Sequence, residues 1–348
     1  MTGRRPIDLV LFLIVAFGAS WLIALPLWLG QGLATPLFPV VAAAMMFTPS
    51  LGVAAVWLRN RVPAKEWARR TGLGLGPRRG RTVALTAAVW IGTPVLIAVA
   101  VGISVALGLL RLDLSGLSLF GETLRQAGVT PPADLRVVAA AQLAAAMLAG
   151  PVLNAIPALG EEWGWRGWLL PTLVDRHGRR AALVSSGVIW GLWHSPLTLL
   201  GYNYPSLGPW AALYFTGFCV LAGLVLGWLR LRSESVWPAV VGHGALNAVA
   251  PALLLLGDAD AVPNPVLAGI TGLAGWVLLA VLAFLLFRLG RLEPRSRPGR
   301  GATGEAAYRA DRGTEGDGRS GDRQAGADQQ TRPELQSRRG EAGGQGAD

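Results

Sequence analysis

Eight stretches, each of about 20 mostly apolar residues, divide the chain at 7–29, 36–58, 82–110, 139–170, 182–200, 210–229, 236–256 and 266–288. A run of that length matches the hydrocarbon thickness of a bilayer at 1.5 Å rise per helical residue. In lipid the backbone must satisfy its own hydrogen bonds, which leaves helices as the form such runs take. The pattern predicts an all-α polytopic membrane protein with about eight transmembrane helices. Composition agrees, since 52% of the 348 residues are hydrophobic and only 15% are charged, against roughly a quarter charged in soluble domains.

The arginines lie in the gaps between the runs and near the C-terminus, so the net charge of +10 is read as topology information rather than as a nucleic-acid footprint. Numbering the gaps from the N-terminus, Arg4 and Arg5, the 59–81 segment, Arg176 to Arg180, Arg230, Arg232 and Arg288 fall on one side. The other side receives 111–136, whose arginines have acidic partners, and the acidic 257–265 segment. The positive-inside rule then puts both termini in the cytoplasm of a multi-pass plasma-membrane protein, with no nucleic-acid partner expected. Residues 1–288 are predicted to form one membrane domain. Residues 289–348 change abruptly to Gly, Arg, Glu, Asp, Gln and Pro, too polar to offset ordering entropy, and are predicted to be a disordered cytoplasmic tail. The single cysteine, Cys219, allows no intramolecular disulfide and reads as a small core hydrophobe.

Three polar clusters interrupt the apolar runs: Glu161-Glu162-Trp163-Gly164-Trp165-Arg166, Trp190-Gly191-Leu192-Trp193-His194 and His243-Gly244-Ala245-Leu246-Asn247. Ionisable groups inside a membrane are costly and mark function. Counted from the cytoplasmic ends at 1.5 Å per residue, Glu161 and His243 lie about 12–13 Å deep, and His194 and Asn247 about 18–19 Å. Four residues on helices of alternating direction thus occupy roughly one layer, which predicts a single buried site facing the cytoplasmic side.

Glu162 and Arg166 share a helix face and read as a charge-neutralising pair, while Glu161 points about 100° away and stays available for chemistry. Trp190 with His194, and His243 with Asn247, repeat the spacing of four; the tryptophan is expected to wall the imidazole. Taken singly, His194 could be a packing histidine, and His243 with Asn247 an interhelical hydrogen-bonding pair; a shared depth with Glu161 favours one site. His177 reads as a solvated loop residue, Trp163, Trp165 and Trp168 as interfacial anchors, and the pairs Gly187/Gly191 and Gly223/Gly227 as close helix contacts.

At these residues the chain resembles the CPBP intramembrane proteases, a family that includes the CaaX-prenyl endopeptidases. Its pattern is Glu-Glu-x-x-x-Arg, an aromatic (usually Phe) before a His, and His-x-x-x-Asn or Asp. Here it reads Glu161, Glu162 and Arg166; Trp190 and His194; His243 and Asn247. The resemblance covers about 140–250 and implies an endopeptidase that hydrolyses a membrane-associated protein or peptide. It implies that Glu161, with His194, activates water, while His243 and Asn247 stabilise the oxyanion; Glu162, Arg166 and Trp190 support the site. No cofactor is favoured. The alternative is zinc held by Glu161, His194 and His243, although no His-Glu-x-x-His motif is present. Outside the protease class, a transporter would use polar residues and proline-broken helices near Pro151, Pro157, Pro196 and Pro238, but no inverted repeat is found. A non-catalytic immunity or scaffold protein would have no use for this residue set.

Overall fold

The computed structural model describes residues 5–289; the expected tail lies outside them, except that Leu289 closes the last helix. The chain is an all-α membrane protein, and no strand is present among the described residues. Among the described residues, four helices have both the length and the apolarity to cross a bilayer: Pro6–Leu29, Phe38–Asn60, Arg79–Ala106 and Pro205–Ser233. Leu135–Leu148 and Leu273–Leu289 are shorter apolar helices.

The first and third of these are α1 (Pro6–Leu29) and α5 (Arg79–Ala106). The second joins α2 (Phe38–Met45) to α3 (Thr48–Asn60), and α4 (Ala64–Thr71) follows it. Beyond α6 (Ser118–Gln126), the 139–170 run is not one continuous α-helix. It is divided into α7 (Leu135–Leu148), α8 (Gly150–Leu153), α9 (Ala155–Glu162) and a π-helical segment, Trp163–Leu169. The chain continues as α10 (Leu170–Trp193), with a break at Gly178 (φ 76°, ψ 170°), a conformation that glycine adopts without Cβ strain. α11 (Ser195–Thr198), α12 (Ala211–Ser233), α13 (Trp237–Leu254) and α14 (Leu273–Leu289) complete the order.

The helices break next to the prolines suspected of it: Pro151, Pro196 and Pro238 occupy the first turns of new helices, where the missing N–H has no intrahelical partner to lose. Pro157 is the third residue of α9.

α10 packs along α12, α13 along α5 and against α8 and α9, and α1 along α3. Small residues set the closest approach. A Cβ added to Gly191 would lie 2.5 Å from the Thr216 Cα, and one on Gly187 2.7 Å from the Val220 Cα. Gly223 faces both the Gly187 Cα and the Arg166 guanidinium, while Gly227 faces Leu183. Cys219 is buried among them.

The reading of the tryptophan cluster as interfacial anchors is overturned for two of its three members. Trp165 and Trp168 are buried, meeting Phe12 edge-on at 5.6 Å and stacked at 4.7 Å, because the π segment turns them towards α1 rather than outward. Trp163 is half-buried and donates from Nε1 to Thr71 Oγ1 at 2.9 Å.

The connecting segments collect on two faces. Arg176 reaches the Arg5 carbonyl, Arg59 pairs with Asp8, Arg81 reaches the Arg232 carbonyl, and the Val236 N–H donates to Gly72 O. Elsewhere, Leu112 and Gly257 form an antiparallel bridge, braced by Arg111 Nε to Asp258 Oδ2 at 2.7 Å. The basic segments therefore meet one another, and so do the 111–136 and 257–265 segments.

Candidate active site

Glu161 and Glu162 end α9, and Arg166 sits within the π segment that follows. Widening the helix to i→i+5 pairing disturbs the regular carbonyl ladder. The Arg166 carbonyl accepts a hydrogen bond from Arg230 Nε of α12 at 3.0 Å, 64 residues away. Glycines let the segment seat closely: a Cβ on Gly164 would strike Pro49 at 2.3 Å, and one on Gly167 would lie 2.9 Å from Thr71 O.

Glu162 is fully buried and receives two donors on one oxygen, Arg166 Nη1 at 2.7 Å and His243 Nδ1 at 2.9 Å. The expected helical pair is formed, but it extends across to α13. A carboxylate oxygen accepts, so His243 Nδ1 carries a proton in this contact and Nε2 is the nitrogen left to face a reacting group. Glu162 Oε2 is buried and has no hydrogen-bond partner among the described residues.

Glu161, expected to stand apart, instead accepts from Trp190 Nε1 at 2.7 Å through Oε2. The same indole lies 4.1 Å below the Arg166 guanidinium carbon and meets the rings of His243 at 5.4 Å and His194 at 5.8 Å, both edge-on. His194 caps the C-terminus of α10, where the chain breaks before Pro196. Its Nδ1 donates to the Trp190 carbonyl at 2.9 Å, one turn back, which leaves Nε2 with the lone pair in the neutral ring. Trp193 and Phe215 box the imidazole, each with its ring centroid 4.7 Å away.

Six of the seven motif residues thus join in one connected cluster of hydrogen bonds, ion pairs and ring contacts. Asn247 does not join it: one turn beyond His243 on α13, its side chain is exposed and makes no hydrogen bond among the described residues. His177 is exposed in the α10 break. Among the described residues, no group of three or more His, Cys, Asp or Glu is arranged to hold a metal ion. Sequence reasoning missed Arg230 and the link between Glu162 and His243. Arg230 sits in the last turn of α12, where a count of loop charges takes it for a topology signal; nothing local in the sequence joins α9 to α13.

This is a polytopic membrane protein with a buried carboxylate–imidazole cluster between helices. Residues 142–249, which hold all of that cluster, match the family described as Type II CAAX prenyl endopeptidase Rce1-like. The chain is also similar to CAAX prenyl protease 2 of Methanococcus maripaludis, at 28% identity over 112 residues. The alignment covers 31% of this chain and 41% of that protein, so the chain spans well under half of its relative. Residues 142–249 are thus similar to CAAX-type proteases.

Proposed function

We propose that the chain is an intramembrane endopeptidase that hydrolyses a peptide bond in a membrane-associated protein or peptide, using water activated by Glu161. The observation that carries this reading is the burial of Glu161 and Glu162 in one cluster with two imidazoles, within a segment of CAAX-protease type. Burying two carboxylates in a membrane domain is a large desolvation cost, met here by Trp190, Arg166 and His243 and consistent with a functional demand.

In the proposed reaction Glu161 takes a proton from water, and the water oxygen bonds to the peptide carbonyl carbon. His194 Nε2 helps to orient the water. His243, protonated on Nε2 from the medium before substrate binds and held as imidazolium by Glu162, donates to the oxyanion, and the Asn247 amide, outside the cluster in the free protein, becomes the second donor when substrate is bound. As the tetrahedral adduct collapses, the C–N bond breaks, and the proton held by Glu161 passes to the leaving nitrogen. Atoms and charge balance without a co-reactant.

One feature favours weighing a zinc reading. Both imidazoles have Nδ1 held by an oxygen, the outer support that ligating histidines usually receive. Glu161, His194 and His243 do not form a metal-holding group here, and no step is written through one. The relative's name specifies a prenylated CAAX substrate; for this chain the proposed class is broader, any membrane-anchored peptide segment able to reach the cluster.

The test compares peptide termini in membranes and medium of cells expressing wild type or Glu161→Gln at equal levels. New termini that depend on Glu161 are expected. Identical sets of termini would overturn the reading.

A further inference from the structure

We propose that Trp190 is the positioning residue for the Glu161 carboxylate, acting through its indole N–H rather than only as an aromatic wall; this rests on the reading of Glu161 as the base. Among the described residues Trp190 is the hydrogen-bond partner of Glu161, and it engages Oε2 alone. Oε1 is therefore the oxygen left to meet a water.

Three ring contacts fix the indole, and a fourth contact runs through the backbone of the same residue. Its face supports the Arg166 guanidinium at 4.1 Å, its ring meets both imidazoles edge-on, and its backbone carbonyl holds His194 Nδ1. The donor thus sits on a ring buried to 2% exposure and clamped on several sides. A fixed N–H ties the torsions of a three-carbon side chain that has no other donor. Phenylalanine, the commoner residue in the family pattern, would keep a ring near Arg166 and the imidazoles but would leave Oε2 without this partner. The chain therefore orients its carboxylate by a hydrogen bond that a phenylalanine cannot make.

The test is infrared difference spectroscopy of the full chain in lipid vesicles. Wild type minus Glu161→Gln isolates the Glu161 carboxyl bands. Trp190→Phe minus the double variant Trp190→Phe/Glu161→Gln isolates the same bands without the donor. A shift in the Glu161 band between the two difference spectra is expected. Replacing Trp190 by 3-benzothienylalanine, which keeps the bicyclic shape and exchanges N–H for sulfur, should give the same shift. An unchanged band in both would overturn the inference. So would a shift in Trp190→Phe that the sulfur isostere reverses, because ring shape and not the donor would then be responsible. Cleavage retained by Glu161→Gln would remove the underlying reading of Glu161 as base, a failure distinct from an unchanged band beside an inactive Glu161→Gln.

Discussion

At the scale of single residues, the two adjacent glutamates differ in what they can lose. Arg166→Ala removes one of two donors from a fully buried carboxylate and the cation above Trp190, while the other donor, His243, remains. Breaking a buried pair from one side typically costs about 3–5 kcal/mol. Glu161→Gln keeps shape and an acceptor for the Trp190 N–H, so it should leave thermal stability in detergent close to wild type and abolish cleavage. Comparable melting losses in the two variants would remove the division between supporting and reacting carboxylate. Much of this was legible in the sequence: spacings of four gave Glu162 with Arg166, and Trp190 with His194, because a helix fixes which side chains share a face. The Glu161–Trp190 and Glu162–His243 contacts were not. They join residues 29 and 81 positions apart, and interhelical register depends on packing that no local period encodes.

At the scale of elements, the apolar runs fall on helices, four of them long and apolar enough to cross a bilayer among the described residues. The 139–170 run is divided in the structure. New helix starts at Gly150 and Ala155, followed by the π segment, interrupt the α-helical hydrogen bonding within an apolar run, and hydropathy alone is what the run length measured. The site depends on those departures: the π segment carries Arg166, and the end of α10 carries His194. The latter is set by the approach of α10 to α12, where Gly191 faces the Thr216 backbone. Gly191→Val would force the helices apart one turn before His194 and disturb its contact with Phe215. Overpacking of this kind costs about 1–3 kcal/mol. The expected outcome is a lower melting temperature together with lost turnover, whereas Gly18→Val on α1, whose added Cβ meets nothing within 4 Å, should change neither. Unaltered turnover in Gly191→Val would mean that His194 does not depend on this contact.

At the scale of the whole molecule, charge asymmetry predicted which connecting segments share a side, and the structure brings the same groups together: Arg5 with Arg176, Gly72 with Val236, and Leu112 with Gly257. The Leu112–Gly257 junction is expected to be acid-sensitive. Asp113 is held well below the usual carboxylate range, first by the Gly116 N–H and then by Ser118; Asp258 is lowered chiefly by its hydrogen bond from Arg111, then by the Asp260 N–H. Both pKa values are depressed in the fold, so the stabilisation they give is present above the ordinary value of 3.8 and is lost as pH falls through the folded values. Protection of the Asp113 and Asp258 amides, which donate to Leu256 O and Arg111 O, should fall progressively as pH drops below the ordinary value of 3.8, after correction for intrinsic exchange. Constant protection would mean that these carboxylates do not hold the junction.

The two-faced arrangement defines two sides; the orientation expected from charge, with the arginine-rich face in the cytoplasm and the Leu112–Gly257 junction outside, is tested by labelling. Single cysteines placed at Ser115 and Ala259, in a background where Cys219 is serine or alanine, should react with a membrane-impermeant maleimide in intact cells. Cysteines at Lys65 and His177 should react only after the membrane is opened. Because the Leu112–Gly257 contact ties the two outer segments together, Ser115 and Ala259 must label alike, whichever way the protein is inserted. Joint labelling of Lys65 and His177 in intact cells, with Ser115 and Ala259 protected, would invert the orientation and leave the fold standing. Opposite behaviour of Ser115 and Ala259 would contradict the junction itself, and with it the helix arrangement that brings Glu161, His194 and His243 into one cluster.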